Sequence, residues 1–306
     1  MATIISGSVA YDTIFDFSDR FADSLRSEAL EHLNLTFEAS SMRKAFGGCA
    51  ANIACSLKAL GGEPIVWTAA GKDIGMYLEF FRQRGIRTDG IAIHEDEWSA
   101  QCVITTDKAG CQLTTFLCGA MERAGDAPFP DDPNIDMAIL APSTRKPMLL
   151  HAKAFVERRI PFILDLGQTT PQYSGEEFLD LLDLAFATVF SDYEADLVRE
   201  MTGLDARALS LRGKTVFQTH GAAGSTVWID GEDCFIETPR IDRAINPVGA
   251  GDYYRGGLLW GLTHGLDALA SARLGTVMGA ARTANIDIDR KKAKAAYENR
   301  WGNAPF

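Results

Sequence analysis

The sequence predicts an α/β fold, a mostly parallel sheet with helices on both faces. From Asp136 onward short apolar runs alternate with helical ones, the pattern of parallel strands joined by crossover helices. Across 306 residues there is no internal repeat and no low-complexity linker, so one domain with a small β excursion is expected. Near the C-terminal end, Asn246-Pro247-Val248-Gly249-Ala250-Gly251-Asp252 runs from a helix breaker through two glycines to a carboxylate that opens an apolar helical stretch. In such folds the functional loops gather at the carboxyl edge of the strands.

The elements follow in order. Thr3 to Val9 reads as an apolar strand ending in Gly7-Ser8, with Asp12 just beyond it. Alone, Asp12 is a turn or cap residue; after the first strand of a parallel sheet it stands where ligand contacts collect. A charged amphipathic piece at Phe21–Leu33 precedes a β-like piece at Leu35–Ala39. Phe46-Gly47-Gly48-Cys49-Ala50-Ala51-Asn52 then opens a helix that stops at Gly61-Gly62. Pro64–Ala70 is a strand, Met76–Arg84 a helix and Ile86–His94 a short strand. Ser99–Thr106 and Cys111–Leu117 alternate polar with apolar around Gly110, a hairpin with one exposed face set apart from the main sheet. Strands at Met137–Leu140, Pro161–Leu164, Ala187–Phe190 and Lys214–Thr219 alternate with helices at Pro147–Arg158, Gly175–Leu184 and Ala195–Thr202. A second hairpin, Thr226–Ile229 with Cys234–Glu237, turns at Asp230-Gly231, and helices at Leu258–His264, Ala268–Thr283 and Lys291–Arg300 complete the chain.

Composition narrows the function. A net charge of −11 disfavours nucleic acid, whose binding needs clustered positive charge, but leaves room for a local anion site. No apolar run reaches the length of a membrane span, and no basic region leads an apolar core at the N-terminus, so no membrane partner and a cytoplasmic location are expected. The six cysteines show no paired CxxC spacing and read as reduced, mostly core residues.

The glycines at 249 and 251 can adopt backbone angles that let successive N–H groups converge, and the following helix points its positive end the same way. Asp252 beside such an anion site is suited to take a proton from a hydroxyl attacking a phosphate. Locally, a helix entered through a Gly-rich turn with a first-turn acid fits equally well.

Five features stand in one order along the chain: Asp12 after the first strand; Gly47-Gly48 with Asn52; the β excursion; Thr219-His220-Gly221-Ala222-Ala223-Gly224; and Gly249-Ala250-Gly251-Asp252. Together they resemble the ribokinase-like (PfkB-type) family of carbohydrate and nucleoside kinases. The stretches Gly7–Thr13, Phe46–Ala54 and Tyr254–Leu262 are similar to a bacterial adenosine-kinase-like branch.

The resemblance implies a three-layer α/β/α sandwich plus a small β lid from about residues 13–45 and 97–120. It implies an ATP-dependent phosphotransferase acting on a primary hydroxyl of a nucleoside such as adenosine, with a sugar kinase for ribose or fructose as the alternative. Asp252 would be the general base, and the amides of Gly249, Ala250 and Gly251 the anion hole. Asp12, Gly47, Gly48 and Asn52 would hold sugar hydroxyls. Thr219, Gly221, Gly224 and Ser191 would line the nucleotide, and Glu194 would serve the Mg²⁺ network. Phe37, Phe116 and Met121 would pack on a base or sugar face, or form lid core. The chain would be a monomer or a homodimer through the lid.

Three departures accompany the likeness. Asn246-Pro247-Val248 replaces the family's Asp-Thr or Asp-Pro-Thr, removing the carboxylate and hydroxyl of its monovalent-cation (K⁺) site. Ser191-Asp192-Tyr193-Glu194 keeps the acid of the family's Asn-x-x-Glu but shortens its first residue, altering the Mg²⁺–water network. Asn285–Asp289 does not resemble the purine-side loop. A binding protein with weakened catalysis is a further reading, which the retained Asp252 opposes. A dinucleotide oxidoreductase lacks its G-x-G-x-x-G after the first strand.

Overall fold

The computed structural model describes residues 1–24 and 35–306, so most of the amphipathic piece expected over Phe21–Leu33 lies outside the described residues. Strands run β1 Ala2–Ser6, β2 Ala10–Phe17, β3 Ala39–Gly47, β4 Glu63–Gly71, β5 Arg87–His94, β6 Ala100–Thr106, β7 Gln112–Leu117, β8 Ile135–Leu140, β9 Phe162–Leu164, β10 Ala187–Ser191, β11 Thr215–Thr219, β12 Gly224–Ile229 and β13 Glu232–Glu237. The principal helices are α1 Cys49–Ala59, α2 Gly75–Arg84, α3 Arg145–Glu157, α4 Gly175–Leu184, α5 Asp192–Thr202, the short α6 Ala206–Ser210, α7 Ala250–Thr263, α8 Ala268–Thr283 and α9 Arg290–Trp301.

Nine strands form one sheet in the order β13-β12-β11-β10-β9-β8-β1-β4-β5, parallel except that β12 runs antiparallel to both β11 and β13. β1 pairs with β8 on one side and β4 on the other, so the chain order reverses there, where α/β folds place their ligand crevice. Side chains of successive residues leave a strand on opposite faces. Ile5, Val66 and Ile139 accordingly meet Leu258, Trp260 and Leu274 on one face, while Ile4, Ile65 and Leu140 meet Phe155, Phe162 and Phe178 on the other. Burial on both faces explains the near-continuous apolar runs of β1 and β4. Among the described residues no helix is long and apolar enough to cross a membrane.

A second, four-stranded sheet in the order β3-β2-β6-β7 stands apart from the first, as the alternation of its hairpin predicts. Two expectations change here. The β-like piece at Leu35–Ala39 is not a strand; β3 begins at Ala39, with its pairing to β2 carried through Gly47. Asp12 is not in a loop after β1: it lies inside β2, opposite Ala45 of β3 and Cys102 of β6. Gly7-Ser8 interrupts the extended run, so the chain leaves the main sheet and enters the four-stranded sheet directly. The lid's two segments are tied by Asp107, whose carboxylate accepts the N–H groups of Phe21, Ala109 and Cys111 at 2.8–2.9 Å.

Candidate active site

α7 carries the centre of the site. It starts about two turns earlier than Leu258, at Ala250, because Gly249 with φ of 79° turns the chain into it. A left-handed residue costs an ordinary side chain about 1 kcal/mol but glycine nothing. The Gly256-Gly257 pair sets where α7 lies. A Cβ at Gly256 would meet Ser56 and the Ile53 carbonyl of α1, and one at Gly257 would meet Gly275 of α8 at 2.9 Å. Close approach on both sides brings the Asn52 Nδ2 of α1 to 2.9 Å from the Asp252 Oδ2, a hydrogen bond across 200 positions of sequence. Asn52 also lies 3.3 Å from where a Cβ of Gly249 would be, so Asp252, the glycine turn and Asn52 share one small volume.

Asp12 joins them through the entry to α1. A Cβ on Gly47 would collide with the Asp12 carboxylate, so that carboxylate rests on the Gly47 backbone. Gly48 has φ of 95°, and a Cβ there would meet the Ser8 carbonyl at 2.5 Å. Ser8 orients the helix start: its Oγ accepts from Cys49 N–H and its carbonyl from Ala50 N–H, both at 3.0 Å. Asp12, Gly47, Gly48 and Asn52 are thus consecutive parts of one wall leading to Asp252.

Electrostatics suit Asp252 to proton transfer. Burial pushes its carboxyl up to about 6, opposed by the Arg255 charge and the Asn52 hydrogen bond. Arg255 is three residues further along α7 and is buried with Asp165, which follows β9; a second guanidinium N–H reaches Asp165 Oδ1 at 2.8 Å. Burial also pushes the Asp12 carboxyl up, and it drives the Cys49 thiol well above its usual range, with the nearby Asp252 and Asp165 charges adding to the effect. Cys49 therefore stays a neutral thiol beside Asp252.

The three amides expected to form the anion hole do not all point the same way. Ala250 N–H donates to the Pro247 carbonyl at 3.0 Å, closing the turn that Pro247 starts. Among the described residues the amides of Gly249, Gly251 and Asp252 have no such acceptor, so these form the open end of the helix.

Further along the sheet, Thr219 ends β11 next to Ser191 at the end of β10, both at the carboxyl edge. Gly221 and Gly224 have φ of 55° and 139°, and His220 N–H closes the turn on the Gly224 carbonyl at 2.8 Å. His220 also bridges Asp192 Oδ1 at 2.6 Å and Thr226 Oγ1 at 2.7 Å, tying the start of α5 to the loop between β11 and β12. Ser191 and Glu194 satisfy one another in a capping box: Ser191 N–H donates to Glu194 Oε2 at 2.7 Å, and Glu194 N–H to Ser191 Oγ at 3.4 Å. The Glu194 charge still acts on both Asp165 and Arg255.

The aromatic candidates divide. Phe37 packs with ring centroids 5.0 Å from Phe17 and from Phe21, Met121 is buried with Ala10 and Ala100, and only Phe116 is exposed. The first two are therefore lid core. Arg255, Asp165 and Ser8 also border Asp252 or the entry to α1, and the sequence did not single them out. The spacing of Arg255 from Asp252 was a usable signal, since residues three apart share a helix face.

Comparison with known proteins follows the same geometry. The sequence matches the pfkB family of carbohydrate kinases over residues 13–287. It is 26% identical over 290 residues to a nucleoside kinase of Methanocaldococcus jannaschii, covering 93% of this chain and 89% of that one. A nucleoside kinase of Thermoplasma acidophilum is 30% identical over 219 residues, covering 71% of this chain and 70% of the other. The Burkholderia thailandensis nucleoside kinase in complex with inosine superposes with a TM-score of 0.87 at 34% identity over 99% of both chains. Likeness extends from the first lid strand through the amide cradle to the loop after α8, and with it the chain belongs to the pfkB family of carbohydrate kinases.

Proposed function

We propose that the protein transfers the γ-phosphoryl group of ATP to a primary hydroxyl of a nucleoside, purine nucleosides such as inosine and adenosine foremost. The observation that carries this reading is the 2.9 Å hydrogen bond that holds Asp252 at the mouth of the amide cradle. Asp252 takes the hydroxyl proton as the oxygen attacks phosphorus, and ADP leaves. Its carboxyl, raised to about 6, is ionised at neutral pH yet more basic than an ordinary aspartate. The amides of Gly249, Gly251 and Asp252 stabilise the charge on the transferring group. Asp12 accepts hydrogen bonds from sugar hydroxyls, and Thr219, Gly221 and Gly224 line the nucleotide. The lid sheet covers the crevice and keeps water from competing as acceptor.

The donor set fits an Mg²⁺ held mainly by phosphate oxygens and water. Glu194 gives Oε2 to the Ser191 amide, leaving Oε1 for a coordinated water. When bound, Mg²⁺ would supply positive charge against the charged phosphate oxygens. The nucleoside assignment draws on the inosine complex of the Burkholderia relative and on its complex with ADP-inosine, which superposes at a TM-score of 0.85 and 33% identity.

Incubating the protein with ATP, Mg²⁺ and a panel of nucleosides and sugars tests the assignment. Equal amounts of ADP and a nucleoside monophosphate are expected. Phosphorylation of ribose or fructose alone would move the substrate to sugars, and no phosphorylated product at all would reject the kinase reading.

A further inference from the structure

The residues behind the amide cradle do not fit a bound K⁺. Asn246, Pro247 and Val248 supply no carboxylate and no hydroxyl, and the side-chain oxygen of Asn246 is taken by Val248 N–H at 3.1 Å. The Val248 carbonyl, which a metal ion would need as a lone-pair donor, instead accepts from Arg282 Nε at 3.0 Å. The same Nε lies 3.4 Å from where a Cβ of Gly249 would be, directly behind the cradle. The guanidinium stands 5.3 Å from the Tyr253 ring centroid, and among the described residues no carboxylate pairs with it. Behind it is a cavity of about 580 Å³ that Lys58 and Arg84 also line, with Asp287 as its single carboxylate. Lys58 is paired with Glu63 at 2.8 Å, so the two arginines outweigh Asp287 and disfavour a further cation.

We infer that Arg282 supplies from within the chain the fixed positive charge that relatives take from a monovalent ion, making this enzyme independent of K⁺. A cation against the Val248 oxygen polarises the Val248–Gly249 peptide and makes Gly249 N–H a stronger donor toward the transferring phosphoryl group. The loop is held for this purpose: Ile245 and Asn246 N–H both donate to the Thr283 carbonyl, at 2.8 and 3.0 Å, next to Arg282 at the end of α8. Arg282 acts through the peptide rather than on the substrate, so it is a positioning residue. The inference rests on the kinase reading above.

The test measures initial rates at constant ionic strength with K⁺, Na⁺ or tetramethylammonium as the only monovalent cation. Wild-type turnover is expected to agree within about twofold across the three salts. Arg282→Ala is expected to lose about tenfold or more in kcat in tetramethylammonium, comparable with losing part of one oxyanion donor, while the nucleoside KM changes little. Added guanidinium ion should restore several-fold of that loss, which a purely structural role would not allow. A wild-type rate that climbs about tenfold with K⁺ overturns the inference and leaves the kinase reading intact. Wild-type turnover in Arg282→Ala without any small cation overturns it equally. A wild-type enzyme that transfers no phosphate in any salt overturns the kinase reading itself. Should Arg282→Ala fail to fold, the wild-type salt profile decides alone.

Discussion

Replacing Asp252 by Asn separates what the carboxylate does from what it costs. Its pKa rises from 3.8 to about 6 on folding, about two units, and each unit is about 1.4 kcal/mol. A group whose folded pKa is raised contributes stability below pH 3.8 that is lost as pH rises through about 6. At pH 7 the ionised form therefore costs up to about 3 kcal/mol, and because the side chain keeps an edge open to solvent we take about 1–2 kcal/mol. Asparagine carries no such cost, and its amide oxygen can still accept from Asn52. Asp252→Asn should unfold about 2–4 °C higher than wild type at pH 7, with the difference shrinking toward zero near pH 4. Its kcat should fall by about 10² to 10⁴, the range for losing a general base, with nucleotide binding nearly unchanged. Thermal unfolding of both proteins from pH 4 to 8, beside a coupled ADP assay, checks both halves. A variant less stable than wild type by the same margin at every pH would refute the electrostatic reasoning, and unchanged turnover would point to a different base.

Asn52→Ala removes a donor to the ionised base, a bond of about 1.5 kcal/mol, so the acid limb of kcat/KM should move up by about one pH unit. A pH–rate profile with its limb unmoved would leave Asn52 only a packing role. Gly47→Ala forces a Cβ into the Asp12 carboxylate, whose Cγ would be 2.6 Å away, and should raise nucleoside KM far more than it lowers kcat. His151, stacked on Trp67 and bonded to Ser6 Oγ at 2.7 Å, has its pKa lowered to about 4 by burial. A base depressed in this way contributes stability above pH 6.5 that is lost as pH falls toward 4, about 3 kcal/mol at full extent. His151→Gln should flatten that part of the curve of unfolding temperature against pH.

The sheet was legible because β1, β4, β8 and β10 announce themselves by runs of buried aliphatic residues, and the helices by their length and glycine stops. The start of α7 was misplaced because Gly249-Ala250-Gly251 has low helix propensity; packing of Gly256 and Gly257 against α1 and α8 overrides it. β3 was misplaced because its residues are exposed along nearly the whole strand, so no alternation betrays it. Asp252, Gly249 and Asn52 could be singled out from local chemistry, but their meeting could not. The loss of Ala250 N–H to the Pro247 carbonyl was equally hidden, since nothing in a row of glycines tells which amides a turn will use.

The working pKa of the base depends on a partner that is itself held back. A free cation three residues from Asp252 would return it to an ordinary weak base, and no cation would leave burial unopposed and the carboxyl largely protonated near neutrality. Arg255 avoids both limits because Asp165 accepts two of its N–H groups in the same buried layer. Its field on Asp252 is thereby reduced but not abolished, and the Asp165 charge pushes Asp252 the opposite way. A buried ion pair is a poor way to stabilise a fold, since apolar replacements often do as well. Its value here lies in poise: it keeps a carboxylate ionised at neutral pH with enough basicity to accept a proton during phosphoryl transfer. The residues that set that balance come from the end of β9 and the second turn of α7, two elements with no reason in sequence to be neighbours.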